Sequence, residues 1–260
     1  MSILDEIAGY ARERVRLAEG RVSLSAMRQA AYSLPKGDFA FEAALRHEGL
    51  SFICECKKAS PSKGVIAQDF PYVEIAREYE SAGADAVSVL TEPKYFLGSD
   101  DYLRDIAEAV KIPVLRKDFV VSDYMIYEAK IMGASAVLLI CAILGGEKLR
   151  EYIMLCDELG ISALVEAHDE DEIRIALSAG ARVIGVNNRN LRDFSVGTGN
   201  AGRLREFVPA DVLFVSESGI KTANDVRAAR DSGADAVLVG ETLMRAQNKS
   251  AMLAELKRLL

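Results

Sequence analysis

The 260-residue sequence has little of what marks secreted, membrane or nucleic-acid-binding proteins. Its four cysteines are too few for a disulfide framework in a chain of this length, and they favour reduced thiols in a cytoplasmic protein. The longest purely apolar run, Ala136 to Leu144, is far shorter than the roughly 20 residues that a membrane helix needs. Acidic residues outnumber basic ones, 39 to 32, which argues against a nucleic-acid or acidic-membrane partner.

What the sequence does contain is a globular composition, with 50% hydrophobic residues, and a short pattern that occurs four times. Each copy is a helical segment, a Gly-Ala stop and a β-branched run. Glycine commonly stands just past a helix because it takes positive φ without a Cβ clash. The glycines of the four copies are Gly83, Gly133, Gly180 and Gly233. Their separations, 50, 47 and 53 residues, are too long for one strand and one helix and fit two of each.

Four further strand-like runs each precede one of the copies, so that strands and amphipathic helices alternate along the chain. These runs are Phe52–Lys57, Val114–Lys117, Ala163–Glu166 and Leu213–Glu217. Alternation implies parallel strands joined by right-handed crossovers, and eight such units favour a closed (βα)8 TIM barrel in the α/β class. An open doubly wound sheet is the alternative, but no glycine-rich turn follows Lys57 at the end of the first strand.

The first 47 residues lie outside this alternation. Apolar positions from Ile3 to Leu17 predict an amphipathic helix, and a second helix is predicted to begin near Ser25. No linker rich in serine, glycine or proline divides the chain. We therefore predict a single domain over residues 1–260, with an N-terminal helical extension over 1–47 and the barrel over 48–260.

Polar residues occur at the carboxyl ends of the predicted strands, where barrels of this type carry their active sites. They are Glu55 and Lys57 on the first strand, Lys117 on the third, Glu166 on the fifth, Asn187 and Arg189 on the sixth, and Glu217 on the seventh. Unpaired charge inside a barrel is costly. Their convergence favours a site in which close charges tune one another's pKa for proton transfer, with a structural ion-pair cluster as the alternative.

The loops after the last two strands predict a phosphate site. Ser218-Gly219 follows the seventh strand and Gly240-Glu241 the eighth. Glycine lets a ligand approach backbone N–H groups, and a helix N-terminus adds a favourable dipole. The loop after the first strand, from Ser60 to Gly64, is interpreted as a polar loop or as a mobile cover over the phosphate.

Seven motifs resemble, in order and spacing, those of the indole-3-glycerol phosphate synthase family. They are Glu55–Gly64, Leu90–Phe96, Val114–Phe119, Leu164–His168, Ile184–Leu191, Val215–Ile220 and Val239–Arg245. The resemblance covers nearly the whole chain. It implies a carboxy-lyase of tryptophan biosynthesis, which closes the pyrrole ring of 1-(2-carboxyphenylamino)-1-deoxyribulose 5-phosphate and releases carbon dioxide and water.

The resemblance also implies roles for individual residues. Lys117 matches the general acid of the family and Glu166 its base. Lys57 matches a second functional lysine, and Glu55 the neighbour that orients it. The other matched positions are Asn187 and Glu217 as hydrogen-bonding residues, Arg189, Ser218, Gly219, Gly240 and Glu241 around the anionic groups of the substrate, Ser60 in the loop over the phosphate, and Phe96 in the anthranilate pocket.

No metal and no organic cofactor are implied, because the aromatic amine of the substrate supplies the electrons. The expected partner is a phosphorylated small molecule, with no nucleic acid and no membrane. The chain is expected to be a monomer, with a homodimer as the alternative. Cys54 and Cys56 share one strand face and are predicted to pack against helices and not to bind metal. His168 is interpreted as a loop residue, with a proton relay through it as the alternative.

Three other functions remain open. A Schiff-base aldolase would use a strand lysine beside glutamate as its nucleophile. A related phosphoribosyl isomerase would carry an acid–base pair of cysteine or aspartate at the strand ends, which these strands lack. A non-catalytic protein that binds sugar phosphates would need none of the paired acid and base residues.

Overall fold

The structure, a computed structural model, describes residues 2–189 and 199–260. Eight parallel strands form a closed barrel, in which neighbours in the chain pair and the last strand pairs with the first. The strands are β1 (Ser51–Cys56), β2 (Ala86–Leu90), β3 (Val114–Lys117), β4 (Ala136–Ile140), β5 (Ser162–Ala167), β6 (Val183–Asn187), β7 (Leu213–Glu217) and β8 (Ala236–Val239). The predicted (βα)8 barrel is confirmed. Asn190 and Leu191, which end one of the seven motifs, lie outside the described residues.

Helices cover the outside of the barrel. They are α1 (Ile3–Glu19), α2 (Leu24–Ser33), α3 (Ala40–Leu45), α4 (Tyr72–Ser81), α5 (Asp100–Ala109), α6 (Asp123–Ile131), α7 (Cys141–Leu159), α8 (Glu170–Ala179), α9 (Gly199–Leu204), α10 (Ala223–Asp231), α11 (Glu241–Arg245) and α12 (Lys249–Lys257), with a 3₁₀ turn at Arg205–Phe207. The four repeat glycines all have positive φ, between 81° and 94°. Each therefore reverses the chain from a helix into the next strand, as the sequence predicts.

Strand alternation divides the core into two layers. On β1, Ile53 points into the barrel and packs with inward residues of other strands, such as Leu115 and Val215. Cys54 and Cys56 alternate with it and pack in the outer layer, between the strands and the helices. All four cysteines are free and buried, so the predicted packing role of Cys54 and Cys56 is confirmed.

The N-terminal segment closes the barrel from below and covers one side. Phe41 and Leu45 of α3 are buried in the inner layer, where they fill the amino-terminal end of the barrel. The second helix begins one residue before the predicted Ser25, at Leu24. Ser23 is its N-cap, and its side-chain oxygen accepts a hydrogen bond from the backbone N–H of Ala26.

Helix α1 is fixed to the barrel through a buried carboxylate. The guanidinium of Arg14 donates hydrogen bonds to both oxygens of Asp118, at 3.1 and 2.7 Å. Asp118 follows β3 directly and is completely buried, and its Oδ2 also accepts a hydrogen bond from Thr91. Burial by itself raises the pKa of Asp118, but the charges of Arg14 and Arg116 outweigh it and lower the pKa below its ordinary value. The pair joins the extension to the strand that ends at Lys117.

Removing this pair is expected to destabilise the fold. Arg14→Ala leaves Asp118 buried with fewer partners, so we expect the free energy of unfolding to fall by about 3 kcal/mol in urea titrations. Arg16→Ala on the same helix is the matched control, since Arg16 and Glu13 form a pair whose side chains are 69% and 49% exposed. That control should leave the free energy of unfolding close to that of the parent, because an exposed ion pair contributes little to stability. Equal effects of the two substitutions would contradict the docking role of Arg14.

Candidate active site

A cavity of about 530 Å³ opens at the carboxyl ends of the strands. All of the site residues named from the sequence line it: Glu55, Lys57, Ser60, Phe96, Lys117, Glu166, Asn187, Arg189, Glu217, Ser218, Gly219, Gly240 and Glu241. The sequence did not predict that α1 adds an apolar wall, formed by Ile3, Leu4 and Ile7. The extension is therefore part of the cavity, and only contacts between distant parts of the chain could reveal this.

Lys117 lies at the centre of the charged residues. Its Nζ is 3.3 Å from Oε2 of Glu217 and 3.8 Å from Oε2 of Glu166. Burial by itself lowers the pKa of Lys117, but the charges of Glu217, Glu166 and Glu55 outweigh it and raise the pKa above its ordinary value. Lys117 is therefore an ammonium at neutral pH, and this is the form that can donate a proton.

A second lysine is paired with its neighbour on β1. Lys57 Nζ donates a hydrogen bond to Oε2 of Glu55, which is almost completely buried. Burial raises the pKa of Glu55, but the charges of Lys57 and Lys117 outweigh it, so that the pKa falls below its ordinary value. Residues 55 and 57 share the inward face of the strand, and this spacing was the sequence signal for the pair.

Two glycines, one directly after β8 and one on β6, make room for the carboxylates of Glu55 and Glu217. A Cβ at Gly240 would overlap Oε2 of Glu55 and lie 2.9 Å from Nζ of Lys57. A Cβ at Gly185, on β6, would overlap Oε1 of Glu217. Sequence reasoning named Gly240 for phosphate binding and missed Gly185, although a glycine inside a strand is a known sign of close approach. A side chain at either position would force the neighbouring carboxylate to move.

Glu166 faces a lysine, a histidine and an amide. In addition to the contact with Lys117, Oε1 of Glu166 lies 3.3 Å from Nε2 of His168. The side chain of Asn187 forms a hydrogen bond with Glu166. Burial raises the pKa of Glu166, but these three groups outweigh it and lower the pKa. Glu217 differs, because burial and the nearby charge of Glu166 raise its pKa against the opposing charge of Lys117. A proton shared by the two carboxylates therefore favours Glu217.

The ends of β6 and β7 are fixed by a short hydrogen-bond network. Asn187 Oδ1 accepts a hydrogen bond from the backbone N–H of Arg189 at 3.0 Å. Ser218 and Gly219 both have positive φ, 66° and 87°, so the backbone turns sharply at the mouth of the cavity. The side chain of Asn188 supports this turn by donating to the Ser218 carbonyl at 3.2 Å. Sequence reasoning missed Asn188, whose role depends on the neighbouring strand.

The loop after β1 contacts two other parts of the site. It folds back as a short antiparallel pair, Ala59–Ser60 with Gly64–Val65. Arg189 Nη1 donates to the Ser62 hydroxyl at 3.4 Å, and the N–H of Ala59 donates to the Phe96 carbonyl at 3.2 Å. The loop therefore lies over the cavity, between β6 and the turn after β2.

Phe96 and Phe119 form an aromatic wall, with ring centroids 6.0 Å apart. A carboxylate holds the turn that carries Phe96. Glu92 is fully buried, and its side chain accepts hydrogen bonds from the N–H groups of Lys94, Tyr95 and Phe96 at 3.0, 2.6 and 3.0 Å. Sequence reasoning quoted Glu92 within a motif but gave it no role.

A structural ion-pair cluster does exist, but it lies on the other face of β3. Arg116 is 1% exposed, and its guanidinium contacts Asp100 and Glu128 at 2.9 and 2.7 Å. Its Nη1 also donates to the Met125 carbonyl at 2.8 Å. Arg116 therefore points toward the helices, whereas Lys117 lines the cavity.

Neither metal ligands in a cluster nor a membrane span is found in residues 2–189 and 199–260. No group of three or more His, Cys, Asp or Glu side chains there could hold a metal ion. None of the helices there is long and apolar enough to cross a membrane. The barrel, the charged cavity at its carboxyl end and the glycine-containing loops define the class: a TIM-barrel enzyme with a charged site for a small molecule.

Comparisons with known proteins identify the family within this class. The family model described as indole-3-glycerol phosphate synthase matches residues 4–256. The chain is 56% identical over 256 residues to the indole-3-glycerol phosphate synthase of Ruminiclostridium cellulolyticum, and the match covers 98% of each chain. It is 53% identical over 256 residues to that of Endomicrobium trichonymphae, covering 98% of this chain and 99% of the relative.

The chain therefore belongs to the indole-3-glycerol phosphate synthase family. It is a lyase of the decarboxylating type, it acts on a phosphorylated small molecule, and its product belongs to tryptophan biosynthesis. The function predicted from the seven motifs is confirmed. Of the functions left open above, the aldolase, the isomerase and the non-catalytic binding protein are excluded as the activity of the chain.

Solved structures agree in fold alone. Thiamine phosphate pyrophosphorylase from Pyrococcus furiosus superposes with a TM-score of 0.63 at 16% identity, covering 81% of this chain and 95% of that chain. The structure titled "Native KDPGal structure" gives a TM-score of 0.59 at 16% identity, covering 82% and 95%. At this identity the likeness supports the barrel architecture and nothing about the reaction.

The glycine positions give a direct test of how the charged residues are packed. Gly240→Ala should lower kcat/KM at least about tenfold, because the new methyl group displaces the Glu55–Lys57 pair from its place at the barrel mouth. Fluorescence of the indole product measures the rate. Gly9→Ala is the control, since a Cβ at this exposed position of α1 would meet no atom within 4 Å. Normal activity in Gly240→Ala would show that the pair tolerates displacement.

Proposed function

We propose that Lys117 is the general acid and Glu166 the base of the ring-closing reaction. The observation that carries this assignment is the buried contact of Lys117 Nζ with Glu217 and Glu166, at 3.3 and 3.8 Å. The carboxylates keep the lysine protonated, and the lysine helps to keep Glu166 ionised. Each group is thereby held in the protonation state that its role requires.

Ring closure needs a proton at the ketone oxygen of the substrate. The ring carbon that bears the carboxylate attacks the ketone carbon, and Lys117 gives its proton to the oxygen as the new bond forms. The bond to the carboxylate then breaks, its electrons return to the ring, and carbon dioxide leaves. In the second stage the C–O bond of the former ketone breaks as its hydroxyl is protonated and leaves as water. Glu166 takes the proton whose loss completes the pyrrole ring.

Lys57 and Glu55 are proposed to act at the substrate carboxylate or at the leaving hydroxyl. Lys57 is partly exposed to the cavity, and Glu55 holds its ammonium from the buried side. Asn187 and Glu217 are proposed to hydrogen-bond within the same site. The pKa of Glu217 is raised, so this side chain can stay protonated and neutral. A neutral Glu217 does not repel an anionic substrate, as a second ionised carboxylate would.

The anionic groups of the substrate are proposed to lie at the ends of β6 to β8. Arg189 contributes a cation, and the turn at Ser218-Gly219 leaves its backbone open to a ligand. Gly240 and Glu241 are proposed to contribute through the backbone at the start of α11, and Ser60 through the loop above. The pair of Phe96 and Phe119 is proposed to line the pocket for the anthranilate ring.

We also propose that the chain works as a single domain, as a monomer, in the cytoplasm. The cavity is lined by residues of one chain, from α1 to α11. Four buried cysteines without disulfide bonds suit a reducing compartment. Light scattering of the purified protein at working concentration tests the monomer directly, and a dimer would contradict it.

Removing either proposed proton-transfer group should abolish most of the turnover. We expect Lys117→Met and Glu166→Gln each to lower kcat by about 10² to 10⁴-fold while circular dichroism shows the fold intact. Lys111→Met is the matched control, because Lys111 is exposed and does not line the cavity. Near-normal activity of Lys117→Met would contradict its role as the acid.

Borohydride treatment in the presence of the substrate tests whether Lys117 acts as a nucleophile. The protonated amine is expected to form no Schiff base, since a nucleophilic lysine must be neutral. Mass spectrometry of the treated protein should therefore find no covalent adduct at Lys117. A trapped adduct at Lys117 would contradict simple acid catalysis and show that the lysine acts as a nucleophile.

A further inference from the structure

His168 lies behind Glu166, outside the cavity. It follows β5 directly, its side chain is 20% exposed, and it is absent from the described residues that line the cavity. Glu166, by contrast, both lines the cavity and contacts His168. A side chain placed in this way can influence the reaction only through Glu166.

Both ring nitrogens of His168 face carboxylate oxygens. Nε2 lies 3.3 Å from Oε1 of Glu166, and Nδ1 lies 3.1 Å from Oε2 of Glu172. An ionised carboxylate can accept hydrogen bonds but cannot donate them. A carboxylate beside each nitrogen favours the doubly protonated ring, an imidazolium cation, which is hydrogen-bonded to Glu172 through Nδ1 and ion-paired with Glu166 through Nε2.

Glu172 fixes this ring from the first turn of α8. Its Oε2 also accepts a hydrogen bond from the backbone N–H of His168, at 2.8 Å. The backbone N–H of Glu172 donates at 2.9 Å to Oδ1 of Asp169, the N-cap of the helix. The imidazolium is thus attached to a capped helix on one side and directed at Glu166 on the other.

We propose that His168, held by Glu172, is a positioning residue that keeps Glu166 ionised and fixed in orientation, so that the proton shared with Glu217 stays on Glu217. This inference rests on the proposed role of Glu166 as the base. It adds a second layer to the site, in which an ion pair outside the cavity decides which carboxylate inside the cavity is free to take a proton.

The other groups around the pair are consistent with this assignment. Lys117 from β3, Asn187 from β6, Glu217 from β7 and Glu55 from β1 also face Glu166. Cys141, at the start of α7, and Asp169, the N-cap of α8, are titratable groups near Glu172. Burial raises the pKa of the Cys141 thiol to about 12, so the thiol is neutral.

The charge of His168 persists through neutral pH. Burial lowers the pKa of His168, but the interactions with the carboxylates of Glu166 and Glu172 outweigh it and raise the pKa to about 10. Because this value lies above the ordinary one, the interaction stabilises the fold fully below about pH 6.5 and is lost as the pH rises through about 10.

Kinetics of His168→Gln test the positioning role. We expect kcat to fall about tenfold, with KM within about twofold of the parent, because the substrate does not touch His168. The acidic limb of the kcat profile should move to higher pH by at least about one pH unit, since the pKa of Glu166 rises when its cation is removed. His47→Gln is the matched control, because His47 lies in the loop before β1, at the opposite end of the barrel.

Glu172→Gln should act in the same direction through the same ring. If the two residues work as one unit, the double variant should be no slower than the worse of the two single variants. A lower melting temperature of His168→Gln with an unchanged pH profile would mean a merely structural role and would overturn the proposal. Fully multiplicative losses in the double variant would also overturn it, since they would mean independent action.

Nitrogen NMR of the ring signals separates this inference from the assignment of the base. The chain has two histidines, so His47→Gln leaves one set of imidazole signals to follow. We expect His168 to keep both ring protons from about pH 6 to pH 9. A single-tautomer neutral ring at pH 7 would overturn the proposal. Normal turnover of Glu166→Gln would instead overturn the role of Glu166 as the base. That result would not alter the titration of His168 measured in the His47→Gln protein.

Discussion

The ammonium of Lys117 is buried among the carboxylates of Glu55, Glu166 and Glu217, and much of the site follows from the need to balance these charges. A buried charge without partners is very costly, so each group can be ionised only if the others compensate it. Lys57 and Lys117 provide two positive charges against three negative ones. A proton on Glu217 balances the two lysines against Glu55 and Glu166, and the carboxylate of Glu172 balances the imidazolium of His168. The raised pKa values of Glu217 and His168 agree with this distribution of charge. The charged groups whose burial costs free energy are also the groups that proton transfer requires.

The barrel supplies the rigidity that this balance needs. Each charged side chain stands on or next to a hydrogen-bonded strand, so the charges are fixed before substrate arrives and need little reorganisation during the reaction. Strand β3 shows how one segment serves two purposes. Arg116 points outward and joins carboxylates of the helix layer, Asp118 anchors α1, and Lys117 between them lines the cavity. Because side chains alternate along a strand, neighbouring residues of β3 can stabilise the fold on one face and line the cavity on the other.

Much of the fold and most of the cavity could be predicted from the sequence, because both rest on local patterns. The repeat glycines mark helix ends by backbone conformation, and the period of two along β1 places Glu55 and Lys57 on one face. The parts that could not be predicted depend on contacts between distant residues. The docking of Arg14 on Asp118 and the apolar wall from α1 leave no periodic signal. His168 followed Glu166 at a spacing of two, yet its second partner, Glu172, could be recognised only once α8 was placed beside β5.

The seam between β1 and β8 has a consequence for the order of events during protein synthesis. Ser51 pairs with Ala236 and Cys54 with Val239. The second edge of the first strand is therefore covered only after nearly the whole chain has been synthesised. Glu55 and Lys57 stand on one side of this seam and Gly240 on the other. A nascent chain therefore carries an open sheet edge until the last strand leaves the ribosome, and such an edge invites pairing with other chains. The charged pair gains its final neighbour in the same step, so a truncated or stalled product lacks a completed site as well as a closed barrel.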